Sequence, residues 1–412
     1  MDSDRSVIIT LGKELGSGAF STVFLGTVTS SGAAVAVKKK ARVSLTVKRP
    51  PLQHEVRILQ TLQGHPAIPQ LVGYYHGLHF EYIAMELLGE PIKAKVKDGM
   101  GLSQETVARV GVQMVRTESL LAPSSSSLDP GAGGQLSALE HLLAKGVLHR
   151  DVKPANILLC PADASKICLV DFGISCLLAV PRPRDPRAYA KETPIVGTLD
   201  WCSLSVHEAR FPMCPADDLE SLAYALLFLI SGSLPWRVSM DSQRETLAQA
   251  AQRVHASKQA LTGDDLVVSH SGCALAETLG RLLEYARRLA PEEKPDLRHW
   301  GRELANAASV DVEELKAAPL DWSPRVPPLQ LKERLAMVPP PSASAKLDAD
   351  VQAASASAGA VVCIPDSMSV PDFSRDWFPE GDRDSSITFP PEEAQKCDEK
   401  IPPFFVELVR MW

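Results

Sequence analysis

The stretch that most constrains the fold of this chain begins with HRDVKPAN at 149–156, continues through ILL, and ends with ICLVDFG at 167–173. Two short apolar runs, each suited to a buried strand, separate the polar groups HRDVKPAN and DFG. The spacing between Asn156 and Asp171 leaves room for two short strands joined by a turn. We therefore expect the strands to fix the polar loop, and DFG to complete a single site with it.

The polar residues of this stretch are those that phosphoryl transfer requires. The carboxylate of Asp151 can accept the proton of a substrate hydroxyl, or orient that hydroxyl for in-line attack. Lys153 can neutralise the charge that develops on the transferred phosphoryl group. Asn156 and Asp171 offer oxygen ligands to Mg²⁺ that bridges the phosphates of a nucleotide. The sequence therefore predicts phosphoryl transfer from ATP with Mg²⁺ as cofactor.

A second group of candidate residues lies near the start of the chain. In LGSGAFSTV, Gly16 and Gly18 would let the backbone close over phosphates without a Cβ atom in the way, and Val23 would pack on the base. A glycine-rich hairpin turn without a ligand is the alternative. Lys38 follows in VAVK, the strand context of a lysine that contacts the α- and β-phosphates. A buried lysine needs a counter-charge, and Glu55 is its predicted partner.

The period of the apolar residues changes along the chain. The segments SVIITLGKELG, TVFLGTV, AAVAVKK and EYIAMELLG have the composition and glycine turns of strands, with one helical segment, PLQHEVRILQTL, among them. From residue 102 onward helical spacing dominates, in SQETVARVGVQM, LSALEHLLAK, DDLESLAYALLFLIS, RETLAQAAQRV and AETLGRLLEYARRL. The sequence predicts an α+β fold with a small β-rich N-lobe that holds one helix, followed by a larger helical C-lobe.

Composition argues against several classes of function. The 412 residues are 45% hydrophobic and 23% charged, which is enough for a sizeable core. The net charge of -7 argues against nucleic-acid binding, which favours a basic surface. No apolar run is long enough to span a bilayer, and the cysteines have no zinc-binding spacing, so we expect a protein of the cytoplasm or nucleus. Nothing in the sequence indicates an obligate oligomer, and a monomer is expected.

Residues 306–412 differ in composition from the rest of the chain. Pro, Ala and Ser accumulate in VPPLQ, MVPPPSASAK and VQAASASAGAVV, and the apolar periodicity fades. We therefore predict a mostly disordered C-terminal tail. Its apolar end, IPPFFVELVRMW at 401–412, either contacts the folded part or forms an untethered terminus.

Residues 115–135 interrupt a helical pattern. They place Pro123, four consecutive serines and a glycine cluster between two helical segments, and no helix can cross them unbroken. If they are omitted, the flanking apolar residues form one stripe, made of Val107, Val110, Met114, Leu139 and Leu142. Valine codons begin with GT and glutamine can be encoded CAG, so the segment has the edges of an intron. An intron retained in frame is our hypothesis, and a genuine surface insertion is the alternative.

These motifs resemble those of eukaryotic-type protein kinases and, more narrowly, of the casein kinase I family. The narrower resemblance rests on MELLGEP at 85–91, GTLDWCSLSV at 197–206, DDLESLAYALLFLISGSLPW at 217–236 and EEKPDLRHW at 292–300. It covers residues 9–305 and implies the bilobal protein-kinase fold, with an N-lobe at 9–88 and a C-lobe at 89–305. As in casein kinase I, the Ala-Pro-Glu of most kinases is absent, and Ser-Leu-Ser stands at 203–205.

The resemblance also implies the roles of individual residues. Met85 would be the gatekeeper and Leu88 a backbone contact to adenine, and Leu15 and Ala36 would belong to the same ATP site. Asp218 would be the buried helix aspartate that braces the catalytic loop. The lysine in KPAN is typical of serine/threonine kinases, so the implied substrates are proteins that present serine or threonine hydroxyls.

Departures from the casein kinase I pattern bear on substrate choice and activity. Leu199 and Asp200 stand where that family has a basic residue that binds phosphate on primed substrates, so an anion would be repelled. The basic stretch after DFG either receives acidic or phosphorylated substrates or is a solvated loop; its residues are Arg182, Arg184, Arg187 and Lys191. The complete set of site residues favours an active kinase. The alternative is a pseudokinase or scaffold whose catalysis is impaired by the insert at 115–135.

Overall fold

The computed structural model describes residues 6–18, 21–41, 51–76, 79–97, 99–115, 137–178, 195–210, 212–237, 245–265, 273–308, 320–322 and 361–365. The predictions for residues 116–135, for the basic residues between 182 and 191, and for the terminus 401–412 lie outside these ranges. The described part of the chain has a β-rich lobe followed by a helical lobe, which confirms the predicted fold class.

The N-lobe is an antiparallel sheet with one helix. Its strands are β1 (Ser6–Ser17), β2 (Thr22–Val28), β3 (Ala34–Ala41), β4 (Leu71–His76) and β5 (Phe80–Glu86), and helix α1 spans Pro51–Leu62. The strand order is β10-β1-β2-β3-β5-β4, in which β10 (Val361–Pro365) comes from the C-terminal tail. No pattern in the sequence predicted β4 or β10.

Apolar periodicity explains why α1 lies against this sheet. Leu52, Val56 and Leu59 recur at helical spacing and are all at most 2% exposed. Burying each such side chain stabilises the fold by about 1.5–3 kcal/mol. Glu55 lies on the same helix and is also buried, so the packing of α1 carries a carboxylate toward the sheet.

The C-lobe is mostly helical, with two short antiparallel sheets of two strands each. The helices are α2 (Gln104–Val115), α3 (Ala138–Ala144), α4 (Leu204–His207), α5 (Pro215–Ser231), α6 (Leu247–Ala260), α7 (Ala274–Arg288) and α8 (Leu297–Ala307). Strand β6 (Val147–Leu148) pairs with β9 (Cys176–Leu177), and β7 (Ile157–Leu159) pairs with β8 (Ile167–Leu169). Helix α5 is buried on nearly every side, and its second half, LAYALLFLI, is apolar all round, as expected of a helix inside the core.

Helices α2 and α3 flank the interruption in the helical pattern. All five residues of the predicted stripe are buried, and α2 packs against α3, α5 and α8. Val115 ends α2 and is itself buried, whereas Ser137 caps α3 by accepting a hydrogen bond from the backbone N–H of Glu140. The flanks therefore belong to the core, while the origin of the insert stays a hypothesis.

Parts of the tail contact the folded lobes. Leu320 is buried, and the Asp321 carboxylate accepts a hydrogen bond from the backbone N–H of Ser103 at 2.6 Å. The indole N–H of Trp322 donates to the carbonyl of Ala164 at 3.1 Å. These contacts place Leu320–Trp322 beside the start of α2. Among the helices that the structure describes, none is both long enough and apolar enough to cross a bilayer.

Candidate active site

The β7–β8 hairpin positions the polar residues on either side of it. Residues Pro154–Asn156 form a 3-10 turn immediately before β7, and Asp171 follows β8. The backbone N–H of Val170 donates to the carbonyl of Asn156 at 3.0 Å. A nitrogen of the His149 ring, Nε2, lies 3.1 Å from the Val170 carbonyl. The loop and DFG are therefore joined directly, as the sequence predicted.

Lys38, Glu55 and Asp171 form one charged cluster between the lobes. The Lys38 ammonium donates to the Glu55 carboxylate oxygens at 2.9 Å and 2.7 Å, and to Oδ1 of Asp171 at 2.7 Å. The side chains of Lys38 and Glu55 are 11% and 2% exposed, while that of Asp171 is 44% exposed. The predicted pairing of Lys38 with Glu55 is confirmed. The bond to Asp171, which joins the sheet to DFG, is an addition that spacing alone did not predict.

The charges of this cluster follow from its geometry. Burial disfavours the ammonium of Lys38, but the carboxylates of Glu55 and Asp171 outweigh it and raise the pKa of Lys38. Burial also raises the pKa of Glu55, and the Lys38 ammonium opposes that effect. The same ammonium holds the pKa of Asp171 at about 2. Asp171 is thus a partly exposed carboxylate that stays ionised at neutral pH.

A second cluster surrounds Asp151, which is 8% exposed. Its Oδ2 accepts a hydrogen bond from the Lys153 ammonium at 2.5 Å, and its Oδ1 accepts one from the Thr198 hydroxyl at 2.7 Å. Lys153 also donates to the oxygen of Thr198 at 2.7 Å. The Asn156 amide nitrogen donates to the carbonyl of Asp151 at 2.9 Å and to its Oδ2 at 3.2 Å. These bonds fix the Asp151 carboxylate from three sides.

The backbone of the 149–156 loop is braced from helix α5. The two carboxylate oxygens of Asp218 accept hydrogen bonds from the backbone N–H groups of His149 and Arg150, at 2.7 Å and 2.8 Å. Arg150 has a φ of 69°, in the left-handed region that non-glycine residues occupy at a cost of about 1–3 kcal/mol. Burial raises the pKa of Asp218, and its bonds to the two N–H groups oppose that effect. The implied bracing contact is present.

Gly197 is required where the segment 195–210 passes this loop. Its φ is 96°, and a Cβ atom at this position would lie 2.6 Å from the carbonyl oxygen of Arg150. Any other residue would push the segment away from the loop. The close approach places Thr198 beside Asp151. Thr198 was missed as a site residue, and the only sequence signal was its position in GTLDW.

The candidate nucleotide-binding residues lie side by side on the sheet. Val23 pairs with Lys38 across β2 and β3, and Ala36 pairs with Met85 across β3 and β5. The backbone N–H of Gly18 donates to the carbonyl of Ser21 at 2.8 Å, which holds these two residues of the glycine-rich segment together. The other candidates border the same strands: Gly16 is opposite Val23, Leu15 is exposed in β1, and half-buried Leu88 follows β5.

The predicted repulsion of an anion by Asp200 is weakened because Asp200 forms an ion pair. The Asp200 carboxylate lies 3.2 Å from Nε of Arg237 in an ion pair that the sequence did not indicate. Nearby, the hydroxyls of Ser203 and Ser205 donate to the buried carboxylate of Asp217. The residues that replace Ala-Pro-Glu are therefore held to the start of α5 by hydrogen bonds.

Lys258 anchors the same segment from helix α6. Its side chain is fully buried, and its ammonium donates to the carbonyls of Leu199 and Cys202 at 2.9 Å and 2.7 Å. Nε2 of His207 lies 3.2 Å from the same ammonium. Burial lowers the pKa of Lys258 to about 8. No sequence pattern indicated this contact, because a single lysine on a polar helix is most often solvated.

Comparison with known proteins agrees with this geometry. Residues 9–211 match the family model described as protein tyrosine and serine/threonine kinase. Casein kinase I homolog 2 and casein kinase I homolog 1 of Saccharomyces cerevisiae are each 29% identical over 331 residues, covering 77% of this chain and 54% of the relative. Casein kinase I homolog RAG8 of Kluyveromyces lactis is 27% identical over 331 residues, covering 77% of this chain and 55% of the relative.

The chain thus spans about half the length of the curated relatives it matches. The matched residues include both charged clusters and the hairpin between them. With its antiparallel N-lobe sheet, helical C-lobe and intact polar motifs, the chain contains a protein kinase domain and resembles the casein kinase I proteins.

Proposed function

We propose that the chain transfers the γ-phosphoryl group of ATP to serine and threonine hydroxyls of protein substrates. The observation that carries this proposal is the convergence of two charged clusters, one around Lys38 and one around Asp151. They are joined by the backbone bond from Val170 to Asn156. Charged groups are costly to bury, and clusters of them in a cleft are typical of functional sites.

The oxygen donors of the site suit Mg²⁺. Asp171 supplies a partly exposed carboxylate that is ionised above about pH 2, and Asn156 supplies an amide oxygen because its nitrogen is bonded to Asp151. Mg²⁺ is usually held by one or two protein oxygens, with phosphates and water completing its shell. We propose that Asn156 and Asp171 hold the metal, which when bound would neutralise charge on the β- and γ-phosphates.

The space beside Lys38 suits the nucleotide. A Cβ atom at Gly16 would meet nothing within 4 Å, so contacts among the described residues do not require glycine there. Close approach of a phosphate to the backbone would require it. We propose that Lys38, oriented by Glu55, contacts the α- and β-phosphates. The residues proposed for the rest of ATP are Leu15, Gly16, Gly18, Val23, Ala36, Met85 and Leu88.

Asp151 is the proposed acceptor of the substrate hydroxyl proton. Its carboxylate is held by Thr198 and Lys153, so a hydroxyl that approaches it would be oriented rather than free to rotate. Lys153 would neutralise charge on the transferred group. Phosphoryl transfer with Asp151 and Lys153 in these roles needs no covalent intermediate on the protein.

We further propose that the protein is a monomer of the cytoplasm or nucleus. It binds ATP and protein substrates and does not bind nucleic acid. The described cysteines are free thiols, which a reducing compartment favours. The Asp200–Arg237 ion pair supports acceptance of substrates without prior phosphorylation, because the pair offers a phosphate no uncompensated cation.

Transfer of labelled phosphate from ATP to dephosphorylated casein tests the activity. The full chain is compared with Asp151→Asn, which keeps the shape of the side chain and removes its charge. Loss of a general base lowers the rate by about 10²–10⁴-fold, and we expect a loss in that range. The exposed Asp264→Asn variant is the matched control and should retain the parent rate. Equal rates for the parent and Asp151→Asn would refute the proposal.

A further inference from the structure

Two cysteines meet beside the turn of the β7–β8 hairpin. Cys160 directly follows β7, Cys168 lies within β8, and their Sγ atoms are 3.1 Å apart. The backbone N–H of Cys160 donates to the carbonyl of Lys166 at 2.9 Å, so the pairing of the hairpin continues past β7. Because Leu158 is the residue opposite Cys168, Cys160 and Cys168 are diagonal neighbours on one face. The hairpin itself therefore holds the two sulfurs together.

The two thiols are not equivalent. Cys160 is half-buried, whereas Cys168 is 1% exposed, with its thiol 3.2 Å from the carbonyl of Pro66. The hydrogen bond between the sulfurs lowers the pKa of Cys160 and raises that of Cys168. Cys160 therefore ionises first and is the one that solvent reaches.

Other cysteines of the C-lobe have a different environment. Burial raises the pKa of Cys202 and of Cys214 to about 11. Cys176 of β9 is half-buried like Cys160, but the described residues place no second sulfur within hydrogen-bond distance of it. Thiolate character and a nearby second thiol are the two features of a reversible redox site.

We propose that Cys160 and Cys168 form a redox modification site that closes to an intramolecular disulfide when hydrogen peroxide is present. The Cys160 thiolate attacks one peroxide oxygen, the O–O bond breaks, and Cys160 becomes a sulfenic acid as hydroxide leaves. The Cys168 sulfur then attacks the Cys160 sulfur and displaces its oxygen, which leaves as water with the Cys168 proton. Peroxide is reduced, and the two thiols are oxidised to one disulfide.

The geometry requires only a small movement. A disulfide has an S–S distance of about 2.05 Å, so the sulfurs must approach by about 1 Å from their present 3.1 Å. Rotation of the two side chains within the hairpin can supply part of this movement. The link closes a loop of only nine residues, Cys160 to Cys168, so the movement falls on the β7–β8 hairpin itself and on the residues at its ends.

The position of the pair connects it to the active site. The hairpin carries Asn156 before its first strand and Asp171 after its second. Leu159 accepts a hydrogen bond from the backbone N–H of Gly89 at 2.8 Å and donates one to the carbonyl of Glu90 at 3.1 Å, which ties the hairpin to the segment after β5. The disulfide form is therefore expected to transfer phosphate more slowly. That consequence rests on the proposed function, whereas the disulfide itself does not.

Peptide mapping of the full chain tests the disulfide. Reduced protein, freed of reductant, is treated with hydrogen peroxide, alkylated, and cleaved by trypsin without reducing agent. Cleavage after Lys166 separates Cys160 from Cys168, so a link between them joins two peptides. We expect loss of two of the eight thiols, this linked species as the main product, and full reversal by dithiothreitol. Oxidation of Cys160 to sulfinic acid with Cys168 still reduced would overturn the proposal.

Serine variants distinguish the role of Cys160, which reacts with peroxide, from that of Cys168, which resolves the sulfenic acid. In Cys168→Ser we expect Cys160 to accumulate as a sulfenic acid that dimedone traps, and in Cys160→Ser we expect Cys168 to stay reduced. Cys176→Ser is the control and should form the same link as the parent. A linked form with an unchanged transfer rate would overturn the consequence for catalysis alone. A reduced form without any transfer would refute the proposed function and leave the disulfide result standing.

Discussion

Replacing Lys258 by methionine should make the stability of the chain depend differently on pH. Lys258 is fully buried, and burial lowers the pKa of its ammonium from 10.5 to about 8. Each pKa unit corresponds to about 1.4 kcal/mol, so keeping this group charged near pH 7 costs the folded state about 3 kcal/mol. Methionine removes that cost. It also removes the donor to the carbonyls of Leu199 and Cys202, at about 1–3 kcal/mol for each carbonyl left unsatisfied.

Near pH 7, the relief of the burial cost and the loss of the two hydrogen bonds nearly cancel in Lys258→Met. At alkaline pH they no longer cancel, because the burial cost of the charge disappears from the parent. The folded pKa lies below the unfolded value, so between about pH 8 and pH 10.5 the unfolded chain binds more protons. The contribution of Lys258 to the free energy of unfolding therefore increases with pH in that window. We expect Lys258→Met to be within about 2–3 kcal/mol of the parent near pH 7. Relative to the variant, the parent should gain about 2.5 kcal/mol between about pH 7 and about pH 10.

Urea unfolding, followed by tryptophan fluorescence at both pH values, measures this difference. Other groups titrate in the same range, but they are common to the parent and the variant and cancel when the two are subtracted. The exposed Lys294→Met variant is the matched control and should differ from the parent equally at both pH values. A parent-minus-variant difference that stays constant or falls in alkali would refute the reasoning about burial.

Three further outcomes are expected. Thr198→Val removes the hydroxyl that bridges Asp151 and Lys153, and should lower kcat about tenfold or more with little change in the KM for ATP, while Thr198→Ser should keep the parent kcat; an unchanged kcat in Thr198→Val would contradict the proposed role of the hydroxyl. Lys38→Met removes the ammonium that lowers the pKa of Asp171, so carboxyl NMR titration should find that pKa above about 2; an unmoved value would mean another group sets it. Deleting residues 115–135 should stabilise the fold by up to about 2–3 kcal/mol by removing a loop-closure cost, as measured by thermal unfolding, and a lower melting temperature would argue for a genuine insertion.

Apolar periodicity predicted the helix and the hairpin on which the site residues lie. Helix α1 has the bounds that apolar spacing indicated, and the β7–β8 hairpin fills the interval between Asn156 and Asp171. Each depends on residues close together in sequence, where periodicity is informative. The pairing of Lys38 with Glu55 was predictable for another reason, since a strand lysine in this context requires a carboxylate.

Apolar periodicity did not predict the contacts between segments that are distant in sequence. Thr198 meets Asp151 because Gly197 allows close approach of two backbones, which no periodicity encodes. Lys258 is buried on a helix whose composition suggests a solvated face, since its partners are backbone carbonyls of another segment. Strand β10 lies in a tail whose composition favours disorder, and it is ordered by pairing with β1 rather than by its own pattern.

The pairing of β10 with β1 has a consequence for synthesis on the ribosome. Strand β1 is made first, but the strand that covers its outer edge is made about 340 residues later. At about 5–20 residues per second, that interval lasts roughly 17 to 70 s. During it the edge of β1 presents unpaired N–H and C=O groups to any other nascent chain. The N-lobe sheet is therefore begun first and completed last. If synthesis ends before residue 361, the chain that is released lacks β10, and the outer edge of β1 stays unpaired.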